Sequence, residues 1–154
     1  TGVTLGCARR ALEECAAQAV GKQRLGSAHA LDARPAFVRD LGRAHTRLAS
    51  VRAHVRDVLV RLDEASAALA TGGGTLDPAL FLEARGAATH AAEVAVEVAT
   101  FAYRNGGAHA ATGSSALGRA YRDAMTSSQH VHVLDDVYEW VGKALLDATT
   151  PSSG

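Results

Sequence analysis

From Pro35 to Ala70 the chain carries Phe37, Leu41, Ala44, Leu48, Val51, Val55, Val58, Leu62, Ala65 and Leu69, in steps of four and three without a break. A seam that recurs every ~3.5 residues belongs to one face of a helix, as in a long bundle or coiled coil, and not to a strand. At ~1.5 Å per residue the helix runs roughly 50 Å. Arg39, Arg43, Arg47, Arg52, Arg56 and Arg61 sit off the seam, mixed with Asp40, Asp57 and Asp63. They read as a solvated or intersubunit face rather than a nucleic-acid surface.

The remaining segments are helical too. Leu5, Ala8, Leu12, Cys15 and Ala19 mark one buried stripe on a first helix from Val3 to Val20, with Gly21 as its stop. Gly2 and Gly6, four apart, suggest close backbone contact near its start. Residues 21–34 form a loop in which Asp32 marks the next helix start. Thr71 to Gly74 breaks the long helix, and Asp77-Pro78 supplies an N-cap and a first-turn proline. The third helix, to about Tyr103, is crowded with Ala84, Ala87, Ala88, Ala91, Ala92, Ala95 and Ala99, which allow close approach on several sides and a central position. A fourth helical region begins near Leu117 and runs to about Leu146, with Val131, Leu134, Tyr138, Val141 and Leu145 as its seam. No strand-like alternation is found. The expected fold is an all-α, antiparallel up-and-down four-helix bundle over residues 1–148, with a disordered tail at 149–154.

At 154 residues, 47% hydrophobic and 21% charged, the chain is one ordinary globular domain. Its 16 basic and 16 acidic residues cancel, so no electrostatic footprint for nucleic acid and no basic membrane anchor is expected. No apolar run reaches the ~20 residues of a membrane-spanning helix. The start shows neither a signal-peptide pattern nor a methionine, which suggests an excised domain. Cys7 and Cys15, eight apart on one helix, stand about 12 Å apart along its axis, too far to bridge, and two free thiols fit a cytoplasmic location.

Side chains able to do chemistry gather between Gly106 and Asp135. Gly106-Gly107 permits close backbone approach or positive φ. Ser114 and Ser115 can cap the fourth helix, whose N-terminal amides, with Arg119 and Arg122, would suit a phosphate or other anion. A serine-capped helix–helix turn with arginines paired to Asp123 or Glu139 explains the same residues without a ligand. His130 and His132 are two apart and diverge on a helix, so no metal site is expected.

Taken together, Tyr103, Gly106-Gly107, Ser114-Ser115, Leu117-Gly118-Arg119, Arg122-Asp123, Gln129-His130 and Tyr138 to Gly142 resemble the C-terminal domain of the acyl-CoA dehydrogenase superfamily. The opening GCARRAL, Gly6 to Leu12, resembles the start of that domain's first helix, so the resemblance covers nearly the whole chain. Ala116 and Tyr103 depart from the proline and glutamine that family members often carry there. Dehydrogenases of the superfamily usually take an α-proton of an acyl-CoA thioester with a glutamate shortly after the Arg-Asp pair. Eight residues after Asp123 this chain has Val131, and a valine cannot act as a base.

The resemblance is therefore closer to the two-component flavin-dependent monooxygenases, which use reduced flavin and oxygen to hydroxylate or N-oxidise a small-molecule substrate. It implies His130 as the catalytic residue, donating to the flavin or shuttling a proton. It implies Gly106, Gly107, Ser114, Ser115, Arg119 and Arg122 as a flavin-side or intersubunit region. It further implies flavin (FAD or FMN) shared with an N-terminal helical domain and a middle β domain outside these residues. Self-association as a dimer or tetramer, and a flavin reductase in trans, also follow from it. An acyl-CoA dehydrogenase with its base elsewhere, and a helical oligomerisation domain without chemistry, are the alternatives.

Overall fold

The structure is a computed structural model, described over residues 1–23, 29–129 and 136–149. Its helices are α1 (Gly2–Ala19), α2 (Pro35–Ala70), α3 (Pro78–Gly106), α4 (Ala116–Ser128) and α5 (Asp136–Thr149), with short 3-10 turns at Leu31–Ala33 and Gly107–Ala111. Among the described residues there is no strand. The all-α expectation is met.

The alanine-rich helix is the hub. α3 packs against α1, α2, α4 and α5, and its Ala91, Ala95, Ala99 and Ala102 are fully buried. Small side chains at these positions let neighbouring helices close on it from several directions. α3 starts as expected: Asp77 accepts a hydrogen bond from the Ala79 N–H at 2.8 Å, and Pro78 fills the first turn. Asp32 behaves differently. It accepts from the Gly21 N–H at 2.9 Å, across the loop, while α2 starts at Pro35 behind Arg34 without a side-chain cap.

Two apolar clusters form the core. The first joins Leu5 and Leu12 of α1, Leu48, Val51, Val55 and Val58 of α2, and Val94 and Val98 of α3. The second lies at the other end, where Cys15, Leu31, Phe37, Ala99, Ala110, Leu117 and Ala124 meet beneath the α3–α4 turn. Leu117 is fully buried there, a burial that stabilises by about 1.5–3 kcal/mol. The α2 seam is buried at Phe37 and from Ala44 through Val58, half-covered at Leu41, Leu62 and Ala65, and exposed at Leu69. The reason is length: α2 has 36 residues and α1 only 18, so its far end runs beyond its first neighbour.

The fourth helical region is two helices rather than one. Ser127 and Ser128 donate their hydroxyls to the Ala124 and Met125 carbonyls, and Gln129 ends α4 with ψ near 6°. Hydroxyl-to-backbone bonds of this kind compete with the helical ladder. In α5 the buried residue is Val137; of the expected seam, Tyr138 and Leu145 are exposed, and Val131 and Leu134 lie outside the described residues.

Candidate functional site

The turn between α3 and α4 is fixed by three close approaches. A Cβ on Gly106 would stand 2.5 Å from Leu117 Cδ2 and 2.8 Å from Ala110 Cβ. One on Gly118 would overlap the Ala110 carbonyl oxygen, which belongs to the backbone and cannot swing aside. Gly107 ends α3 with φ +68°, a conformation open to glycine at no steric cost. The first turn of α4 is thereby pressed against the 3-10 turn.

Hydrogen bonds complete the arrangement. Ser115, buried, is the N-cap of α4, and its Oγ accepts from the Gly118 N–H at 3.1 Å. The Ser115 N–H is in turn held by the Thr112 carbonyl. Lys22, from the loop after α1, donates its Nζ to the Gly106 carbonyl at 2.6 Å and to that of Asn105 at 3.4 Å. An ammonium at a helix C-terminus satisfies orphan carbonyls and complements the helix dipole. The loop that delivers it is pinned by the Leu31 N–H bonding the Lys22 carbonyl at 2.8 Å. Nothing in the sequence near Lys22 points to this role; its partner lies 84 residues away.

The expected site residues thus divide. Gly106 and Ser115 are buried and occupied in holding the turn, and neither faces solvent. Gly107, Ser114, Arg119 and Arg122 are exposed. Among the described residues no ion pair joins Arg119 or Arg122 to a carboxylate, so the pairing with Asp123 or Glu139 is not formed. Arg122 lies back over Gly118, its guanidinium within 3.4 Å of the position a Cβ would take. His130 lies outside the described residues, as does His132; Gln129 is exposed at the end of α4.

Arg119 also borders a shallow groove of about 460 Å³ between α1 and α4, opposite Gly6, Cys7 and Arg10. The fold therefore brings the first-helix motif and the Leu-Gly-Arg motif, more than a hundred residues apart, to one surface. Gly2 and Gly6 have no atom within 4 Å of a built Cβ, so they open the α1 surface rather than touch a neighbouring backbone. Burial raises the Cys7 thiol pKa, and the Asp123 carboxylate adds to it, so this is not an activated cysteine. Tyr103 stacks on Tyr121 at 4.4 Å between ring centroids, locking α3 to α4 beside the groove.

The profile of the acyl-CoA dehydrogenase C-terminal domain matches residues 1–135. The chain belongs to that family. Over 140 residues it is 35% identical to the indole-3-acetate monooxygenase of Pseudomonas putida, covering 91% of this chain and 35% of that protein. XiaF from Streptomyces sp., solved in complex with FADH2 and glycerol, superimposes with a TM-score of 0.83 at 22% identity, over 98% of this chain and 37% of XiaF. The chain thus spans about a third of the length of either relative. The likeness to XiaF is one of fold. No helix among the described residues is long and apolar enough to cross a membrane.

Proposed function

We propose that the chain is the C-terminal helical domain of a flavin-dependent monooxygenase that acts on a small-molecule substrate. The observation that carries this reading is the 35% identity, over 91% of the chain, to a protein whose activity is a monooxygenation. The valine at 131, where family dehydrogenases usually have a glutamate, supports the same choice.

The donor set fits an anionic cofactor group only in part. Arg119, Arg122, the Ser114 hydroxyl and the exposed peptide at Gly107 suit the phosphate of a flavin nucleotide. Gly106 and Ser115 contribute indirectly, by fixing the turn that presents these groups. On this reading the domain supplies part of a site that other domains or a second subunit complete. Flavin, when bound, supplies the oxygen chemistry; this chain contributes charge at the phosphate side and, at His130, a proton donor. A dimeric or tetrameric assembly, a separate flavin reductase and a cytoplasmic location belong to the same proposal.

The test uses protein that carries the flavin-binding domains. His130→Ala should lower turnover by roughly 10²–10⁴, the usual contribution of a positioned proton donor. Unchanged turnover removes His130 from the mechanism. Arg119→Gln with Arg122→Gln should weaken flavin binding at least tenfold, and unchanged affinity overturns their assignment.

A further inference from the structure

The last helix is held by less than any other. Among the described residues α1, α2 and α4 each pack against at least two helices, whereas α5 packs mainly on α3. Its buried side chain is Val137, and Trp140, Leu145 and Leu146 are about half exposed or more. Its side-chain contacts run down one stripe of α3. Trp140 lies over the Arg85 guanidinium at 5.3 Å, Val141 stands 3.3 Å from where a Cβ on Gly86 would be, and the Tyr138 hydroxyl donates to Glu93 at 2.8 Å. Docking on this stripe is also incomplete. Arg85 Nε and Thr89 Oγ1 are shielded from solvent without a hydrogen-bond partner among the described residues. Thr89 falls between Gly86 and Glu93, the positions that meet Val141 and Tyr138. A buried donor without an acceptor has lost its water and gained nothing for it, and a charged one loses most.

We propose that α5 is a strap that undocks from α3 as a unit while α1 to α4 stay packed. Release uncovers little apolar surface, chiefly that of Val137, and returns water to Arg85 and Thr89, so the loss of packing is offset by rehydration. Once free, the helix does not hold itself together. It has 14 residues, a length that is marginal for an isolated helix, and Gly142 stands near its middle. Undocking and unwinding of α5 therefore form one step, reached before the bundle as a whole opens. The remaining helices keep both apolar clusters, in which α5 takes no part. The inference stands on α3 and α5 and does not depend on flavin.

Trp140 is the chain's single tryptophan and sits in the joint, so its fluorescence follows docking, while far-UV circular dichroism follows mainly α1 to α4. In a urea titration of the chain the fluorescence should change at a lower midpoint than the dichroism. Native-state hydrogen exchange should find the α5 amides protected, yet about tenfold or more faster than those of residues 91–102 in α3. Val137→Ala should speed exchange in α5 by about a further tenfold. Thr89→Val, which removes an unsatisfied hydroxyl from the joint, should slow it by about threefold or more. Residues 91–102 should be unchanged in both variants. Slower exchange in α5 after a substitution on α3 is not expected of a helix that only frays from its end. Coincident midpoints, α5 amides without protection, an equal effect of Val137→Ala on α3 and α5, or no slowing by Thr89→Val would overturn the proposal.

Discussion

At the scale of single residues, the same amino acid has opposite meanings at different places in this fold. Gly118 is required by its neighbour: a methyl group there would land on the Ala110 carbonyl oxygen. Gly118→Ala should therefore destabilise the chain by about 1–3 kcal/mol, the usual cost of overpacking. Gly42, within α2, has open space around a built Cβ. Gly42→Ala should stabilise by about 0.5–1 kcal/mol through helix propensity. Urea titrations of the two variants should shift in opposite directions; a shared direction contradicts the packing described. The glycines of the α3–α4 turn could be read from sequence because a turn after a helix asks for them. Lys22 could not, since its role comes from a loop that folds back onto Gly106. Lys22→Met should cost about 1 kcal/mol by uncapping α3. Amide hydrogen exchange at residues 103–106 should rise with it, while α2 stays as protected as before.

At the scale of elements, heptad spacing is a dependable guide where a helix has neighbours and a poor one where it does not. The α2 seam is buried as far as the chain provides cover. In α5 the same spacing runs through Tyr138 and Leu145, yet Val137 is the residue that packs inward. The α4–α5 break was hidden because Ser127 and Ser128 are tolerated in helices, and their hydroxyl bonds to the Ala124 and Met125 carbonyls accompany the end of α4. α2 and α3 are also tied across their outer faces. Arg61 holds Glu83 through paired bonds of 2.9 and 2.5 Å and also reaches Asp57, and Arg47 pairs with Glu97. The bond from Arg61 holds the Glu83 carboxyl below its ordinary pKa. A lowered folded-state pKa means that this stabilisation is present above the unfolded value, about 4.3, and fades as pH falls through the folded one. Both side chains are well exposed, so the effect is a fraction of a kcal/mol. Glu83→Gln should flatten the loss of stability on acidification below about pH 4.5 while changing stability at pH 7 only slightly. An unaltered acid limb would show that the pair does not contribute.

At the scale of the whole molecule, the bundle leaves large apolar side chains uncovered. Val3, Leu59, Val60, Leu145 and Leu146 are each about half exposed or more. Such surface belongs with the proposed larger assembly, in which other domains or a second copy cover it. The scaffold was legible in the sequence because helical periodicity is local. The chemistry was legible only through a family's motifs, because the proposed site would be shared with other domains and no local pattern in this chain marks it. The isolated chain should accordingly bind flavin poorly, and tight stoichiometric binding in a fluorescence titration would show instead that the domain is sufficient. The most direct test of the oxygenase assignment takes protein carrying this domain together with its flavin-binding domains. That protein is mixed anaerobically with acyl-CoA thioesters, and the absorbance of its oxidised flavin is followed. The flavin should stay oxidised with the thioesters and become reduced only when a reductase and reduced nicotinamide are added; bleaching by an acyl-CoA alone would make the protein a dehydrogenase and contradict the assignment.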